Sequence, residues 1–296
     1  MDKCAVLVLT RGYRDNADYA QLIRRNISIE RNLTDKRIPI VIFHEGNITP
    51  DQQQYIADNT KTLTFDFVSI QGFAFIRERV PKYVYAPTRH FSINYRHMCH
   101  FWFVDFWHFV ADKYDRVIRI DEDCIIDFNI DNLFYKLQSQ VAIYGKWQQD
   151  AKHVTKNLRN FTNTFQMSSP SGITSGSSHL SSSNIQMSSP SHPSDSNNRK
   201  SKMFDDGYVY GPYTNVIGFN IALLNDNPNV KKYVQEVDKT GFIYIFRWGD
   251  LPLFGELLTT LFPRDAYSCD LNIRYYHGSH KSSVNLLPVP KVSEYF

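Results

Sequence analysis

The sequence predicts an α/β protein with a parallel or mostly parallel sheet covered by helices, and three observations carry that prediction. Apolar runs of strand length alternate with segments of helical apolar spacing. Helix start signals fall between those runs. In 296 residues, 42% apolar and 15% aromatic content is enough to build a packed core.

The elements follow in order. "CAVLVLTRG", starting at Cys4, reads as a buried strand, and "DNADYAQLIRRNISIERNL" as a helix opened by acid and amide residues. "IPIVIFHEG" is a second strand bounded by Pro39 and Gly46, which completes a strand-helix-strand unit. "TPDQQQYIADNT" opens a helix with Thr49 as N-cap and Pro50 in the first turn, and "LTFDFVSI" follows as a strand. "NYRHMCHFWFVDFWHFVADKY" reads as one long aromatic helix, its rings packed in the core and His97 and His100 packed or hydrogen-bonded. It delivers the chain to the strand "RVIRI" and then to three consecutive acids, Asp121, Glu122 and Asp123. "NIDNLFYKL" suggests a helix. "GYVYGPYTNVIGFNIALL" is strand-rich, helices are expected from about Asn229 to Lys239 and after Gly249, and a last strand ends on His277 and His280.

One segment departs from this scheme. Residues 166–202 are dominated by Ser with Pro, Gly and Asn, a composition that cannot bury enough apolar surface to order itself, so a disordered insertion within a single domain spanning 1–296 is expected.

Composition excludes several function classes. A formal charge of +3 without long basic runs argues against non-specific nucleic-acid binding. The four cysteines have no CxxC spacing and sit in or beside apolar runs, which predicts buried free thiols in a reducing compartment. No segment reaches the roughly 18 apolar residues of a membrane span, so a soluble, cytoplasmic chain is expected, and four N-x-S/T sequons read as chance matches.

The chemistry concentrates at the acids. In parallel sheets ligands sit beyond the carboxyl ends of strands. Asp-x-Asp at such an end can turn two hard carboxylates toward one divalent cation, and a histidine closing a later strand can add an imidazole. Asp121 and Asp123, with His277 or His280, are therefore the candidate metal ligands. The bland alternative is a set of surface acids ahead of the next helix.

"INYRHMCHFW" (Ile93 to Trp102), "RIDED" (Arg119 to Asp123), "DKTGFIYIFRWGDLPL" (Asp238 to Leu253) and "YYH" (Tyr275 to His277) occur in the order and approximate spacing of the fungal family 15 glycosyltransferases, and the chain resembles that family over most of its length outside the Ser-rich segment. These are α-1,2-mannosyltransferases that build protein O-glycans, N-glycans and mannan. The resemblance implies a GT-A nucleotide-diphospho-sugar transferase fold, Mn²⁺, a GDP-mannose donor, a glycan or glycoprotein acceptor, and transfer with retention. It puts the family's metal acids on Asp121 and Asp123, its metal histidine on His277 and an active-site tyrosine that binds near the donor on Tyr95. Asp121 stands where the family has Glu. Arg96 and Arg119 are either phosphate contacts or structural ion-pair partners. By analogy of fold, Thr10 and Arg11, after the first strand, meet the base and ribose of the donor. The family members are Golgi membrane proteins, unlike the expectation from this chain.

The family's proposed nucleophile, a Glu in Phe-Glu-Ile, is matched best by "FNI", which puts Asn220 there. An amide cannot act as that nucleophile. Three readings follow: front-face retention with Asn220 orienting the sugar, inversion with Asp250 of "RWGD" as general base, or a non-catalytic sugar-nucleotide binder. Asp250 also reads as a helix N-cap before Pro252.

Overall fold

A computed structural model describes residues 3–168 and 208–278, and within them strands and helices alternate as the apolar pattern predicts. In chain order they are β1 (Cys4–Leu9), α1 (Ala20–Asn32), β2 (Ile40–His44), α2 (Pro50–Asp58), β3 (Phe65–Ser69), α3 (Ile93–His100), α4 (Trp107–Val110), β4 (Arg116–Ile120) and β5 (Cys124–Ile126). There follow α5 (Ile130–Lys136), β6 (Ala142–Tyr144), β7 (Trp147–Gln149), α6 (Leu158–Ser168), β8 (Tyr210–Pro212), β9 (Val216–Asn220) and α7 (Ile221–Asn225). The rest is α8 (Pro228–Thr240), α9 (Phe242–Phe246), α10 (Asp250–Leu261), β10 (Tyr267–Cys269) and β11 (Tyr275–His277). Of the Ser-rich segment, residues 166–168 close α6. The remainder of that segment, and His280, lie outside the described residues. No described helix is long and apolar enough to cross a membrane.

Seven strands form the central sheet in the order β10-β6-β9-β4-β1-β2-β3. Strands β1 to β4 run parallel, β10 parallels β6, and β9 runs antiparallel to both β4 and β6. The carboxyl ends of β1, β4 and β6 and the amino end of β9 therefore meet along one edge. Period-two alternation sends Ala5 and Leu7 into one core, with the aromatics that follow α3, and Val6 and Val8 into the other, with α1 and α5.

The aromatic helix is not continuous. It opens into a π-helical turn at Phe101–Asp105 before α4. The extra residue in that turn lets Phe101, Trp102, Phe103 and Phe106 all reach the core, which a uniform helix would rotate apart. At α2 Thr49 is the N-cap as expected, and the structure adds a capping box, with Thr49 Oγ1 accepting from Gln52 N and Gln52 Oε1 accepting from Thr49 N. At α10 a Cβ on Gly255 would stand 1.9 Å from the Tyr210 carbonyl, so only glycine lets β8 lie against that helix. None of the four cysteines forms a disulfide. Cys99 and Cys124 are buried, Cys4 is half-buried, and Cys269 is exposed because β10 is the sheet's edge strand.

Among the described residues, neither His97 nor His100 belongs to a group of candidate metal ligands. His97 stacks on Phe75. His100 sits between two carboxylates, Nδ1 at 2.9 Å from Asp105 and Nε2 at 2.8 Å from Asp238, and Arg79 pairs with Asp105 as well. Burial opposes a charge on His100, but the carboxylates override it and raise its pKa. A raised folded pKa contributes stability fully below the unfolded value of about 6.5, and that contribution disappears as pH rises through the folded value. Unfolding free energy should therefore fall from about pH 6.5 upward, and His100→Asn should flatten that slope in denaturant titrations. An unchanged slope would remove His100 as its source.

Candidate active site

The acid turn is built by the end of β4. Arg25, buried under the sheet edge, donates to the carbonyls of Ile120 and Leu7 and so fixes where β4 and β1 stop. Burial pushes its guanidinium down to about 9. The chain then turns through Asp121, Glu122 and Asp123, closed by Cys124 N donating to Asp121 O at 3.1 Å. Strand β5 pairs antiparallel with β11 and sets Cys124 opposite His277. That register brings His277 Nε2 to 3.0 Å from Asp123 Oδ2.

Asp121 is held differently. Arg119 grips it through Nε–Oδ1 at 2.7 Å and Nη2–Oδ2 at 3.2 Å, and the same guanidinium pairs with Asp250. Arg119 lies 4.2 Å above the Trp102 ring. Burial works against its charge, and the two carboxylates more than offset it, so it stays cationic. Asn215, just before β9, places Nδ2 3.2 Å from Asp121 Oδ2 and 2.9 Å from His277 Nε2. Burial raises the pKa of Asp121 and Arg119 opposes the rise.

These groups suit a divalent cation. Asp123, Cys124 and His277 offer ligand atoms within 4.8 Å of one another. The 3.0 Å between Asp123 Oδ2 and His277 Nε2 is about the edge that two ligands at about 2.1 Å subtend at a right angle. Asp121 joins them through Asn215 and would have to share its carboxylate with Arg119.

A cavity of about 650 Å³ opens beside this cluster, and Tyr95, Asp150, Arg247 and Asp250 face it as well. A smaller recess of about 270 Å³, between Leu9, Tyr13, Met98 and Trp102, adjoins it at Asp121 and Asp123. Glu122 walls that recess and accepts from Thr10 Oγ1 and Tyr13 Oη, each at 2.8 Å. Burial, reinforced by Glu122, pushes the Tyr13 phenol up to about 12. Gly12 is obligatory in this loop, since a Cβ there would stand 2.2 Å from the Asn47 carbonyl.

The expected site residues separate. Asp121, Asp123, His277, Tyr95 and Asp250 converge on one cavity. Thr10 is buried and its hydroxyl braces Glu122, while Arg11 is exposed above the Tyr13 ring at 4.9 Å. Arg96 does not line this cavity. One helical step of about 100° from Tyr95 turns it inward, where it is 1% exposed and donates to the carbonyls of Tyr244 and Thr88. Asp250 is not the N-cap of α10 either. Gly249 holds that position, and Asp250 is the first helical residue.

Asn220 lies at the end of the sheet away from the acid cluster. Strand β9 starts at the cavity and runs antiparallel to β4, so Asn220 pairs in register with Arg116, where β4 begins. Four residues of strand separate it from the acid edge, about 13 Å. There it caps α7, Oδ1 accepting from Leu223 N at 2.9 Å and Nδ2 donating to Leu137 O at 2.7 Å. Asn220→Ala should cost about 1–3 kcal/mol, read as a lower melting temperature. Its kcat per folded molecule should be unchanged, and a large loss of kcat at full folding would contradict this placement.

Sequence reasoning missed Asn215, Asp150 and Arg247. Arg247 stands in the quoted "RWGD", and its φ of 66°, which turns the chain after α9, is not visible in a sequence. Asn215 and Asp150 sit in short loops with no local signal.

Comparisons with known proteins bear on the fold. The chain is 24% identical over 201 residues to a glycolipid 2-alpha-mannosyltransferase of Saccharomyces cerevisiae, covering 66% of this chain and 40% of that protein's length. The mannosyltransferase Ktr4p of S. cerevisiae superposes with a TM-score of 0.70 at 17% identity, over 96% of this chain and 72% of Ktr4p. Core-mannan synthase A from Aspergillus fumigatus, in an Mn/GDP form, gives 0.66 at 16% identity, over 94% and 75%. Mouse xyloside xylosyltransferase 1 gives 0.53 at 13% identity, over 95% and 99%. No family model matches the chain. The fold is thus the GT-A fold of glycosyltransferases, and the resemblance to the fungal mannosyltransferases extends beyond the motifs to overall sequence and fold.

Proposed function

We propose that this chain is a metal-dependent glycosyltransferase that moves a sugar, mannose from GDP-mannose in the first instance, to a glycan hydroxyl. The observation that carries the reading is the convergence of Asp121, Asp123 and His277 on a cavity at the carboxyl edge of a GT-A sheet. Mn²⁺ held there by Asp123 and His277, with Asp121, would neutralise the diphosphate leaving group. The chain's own residues do the rest. Arg119 fixes Asp121 and Asp250 relative to each other. The recess walled by Glu122 and Tyr13 takes the nucleoside.

In the transfer the bond from sugar C1 to the diphosphate oxygen breaks and a bond from C1 to the acceptor oxygen forms. The acceptor's hydroxyl proton passes to Asp250, which faces the cavity. No step uses Asn220. Purified protein with Mn²⁺, screened against a panel of nucleotide sugars for donor turnover and product anomeric configuration, tests the reading. GDP-mannose should be turned over fastest. Turnover of no nucleotide sugar, with or without saccharide acceptors, would overturn it.

A further inference from the structure

A separate cavity of about 490 Å³ opens at the start of α3, lined by Lys82, Tyr83, Arg89, Phe91, Ile93 and Arg96 among others. It shares no lining residue with the cavity at the acid turn. Three of its side chains are cationic, and no carboxylate lines it. Lys82 and Arg89 are exposed, whereas Arg96 is buried and donates Nη1 to the Tyr244 carbonyl and Nη2 to the carbonyl and hydroxyl of Thr88. Its Nε has no acceptor among the described residues, and no carboxylate there pairs with any of the three cations. A buried guanidinium held by neutral oxygens alone keeps an uncompensated charge. Burial, with Arg247 nearby, accordingly lowers the pKa of Arg96. The segment that carries Lys82 and Arg89 is fixed in place, with Tyr85 N donating to Ile245 O at 2.9 Å and Thr88 fully buried against Arg96.

We infer that this cavity binds a phosphate group carried on an apolar substituent. Lys82, Arg89 and Arg96 supply the charge, and their N–H groups donate charge-assisted hydrogen bonds to the phosphate oxygens. A phosphate dianion balances three cations better than a single carboxylate does, and an uncharged sugar balances none of them. Ser92 and Ile93, which open the eight-residue α3, also line the cavity, so the positive end of that helix adds to the same field. Tyr83 is 59% exposed and Ile93 39%, and these side chains give the rim an apolar surface for the group esterified to the phosphate.

Calorimetry of phenyl phosphate with the full chain, in EDTA so that no metal fills the acid turn, tests the inference. Binding should be measurable and should weaken as salt rises. The double variant Lys82→Ala/Arg89→Ala removes two exposed side chains without opening the core, and it should weaken binding by about tenfold or more. Saturating GDP with Mn²⁺ should leave phenyl phosphate bound, because the two cavities have no lining residue in common. Absence of binding, equal affinity in the double variant, or displacement by GDP with Mn²⁺ would each overturn the inference. Co-sedimentation with vesicles distinguishes the source of the phosphate. Retention on phosphatidic acid but not on phosphatidylcholine vesicles, lost in the double variant, assigns it to a lipid headgroup. Phenyl phosphate binding without vesicle retention assigns it to a soluble phosphate ester.

Discussion

Asp123→Ala should abolish Mn²⁺-dependent GDP binding and leave the fold intact. Asp123 lies in the turn between β4 and β5 with a side chain 20% exposed, so truncation opens no core cavity. It contributes the carboxylate nearest the His277 imidazole, and the pair cannot be replaced by Asp121, whose two oxygens are gripped by Arg119. Losing even an outer partner of a metal ligand costs about 10–100-fold in affinity, and an anionic ligand should cost more. The control is Asp127→Ala, which removes an exposed carboxylate paired with Arg274 at 3.1 Å and should leave GDP affinity unchanged. Calorimetry with and without Mn²⁺ decides the matter. Wild-type affinity in a folded Asp123→Ala protein would take this residue out of the site.

Asp250→Asn should reduce kcat by about 10²–10⁴-fold, the usual range for loss of a general base. The amide keeps an oxygen for Arg119, so the buried guanidinium is not left without that partner, and Asp121 still neutralises it. GDP affinity should change little, which distinguishes this variant from Asp123→Ala. Inverted product configuration from wild type would accompany base-assisted direct displacement. A kcat within tenfold of wild type would instead assign the acceptor proton to the departing phosphate.

The alternation of β1, α1, β2, α2, β3 and β4 was legible because each element carries its own apolar pattern, and α2 its own cap at Thr49. The aromatic run was read correctly as core and wrongly as one helix, since a π-helical turn is chosen by the packing of Phe101, Trp102 and Phe106 and not by their spacing. Short strands such as β6, β7 and β10, three residues each, have too few side chains to show a period.

By itself the sequence determined that the chain is α/β and that an acid cluster ends a central strand, because both follow from local order along the chain. The tertiary structure decided which side chains share a cavity. Strand direction carried Asn220 to the far end of the sheet, one helical step turned Arg96 inward beside a cavity-facing Tyr95, and the pairing of β5 with β11 brought His277 to Asp123 across 154 positions of sequence. Asp150 and Arg247, 97 residues apart, became partners the same way. Such proximities are set by long-range register and packing, and no window of sequence contains both members of the pair.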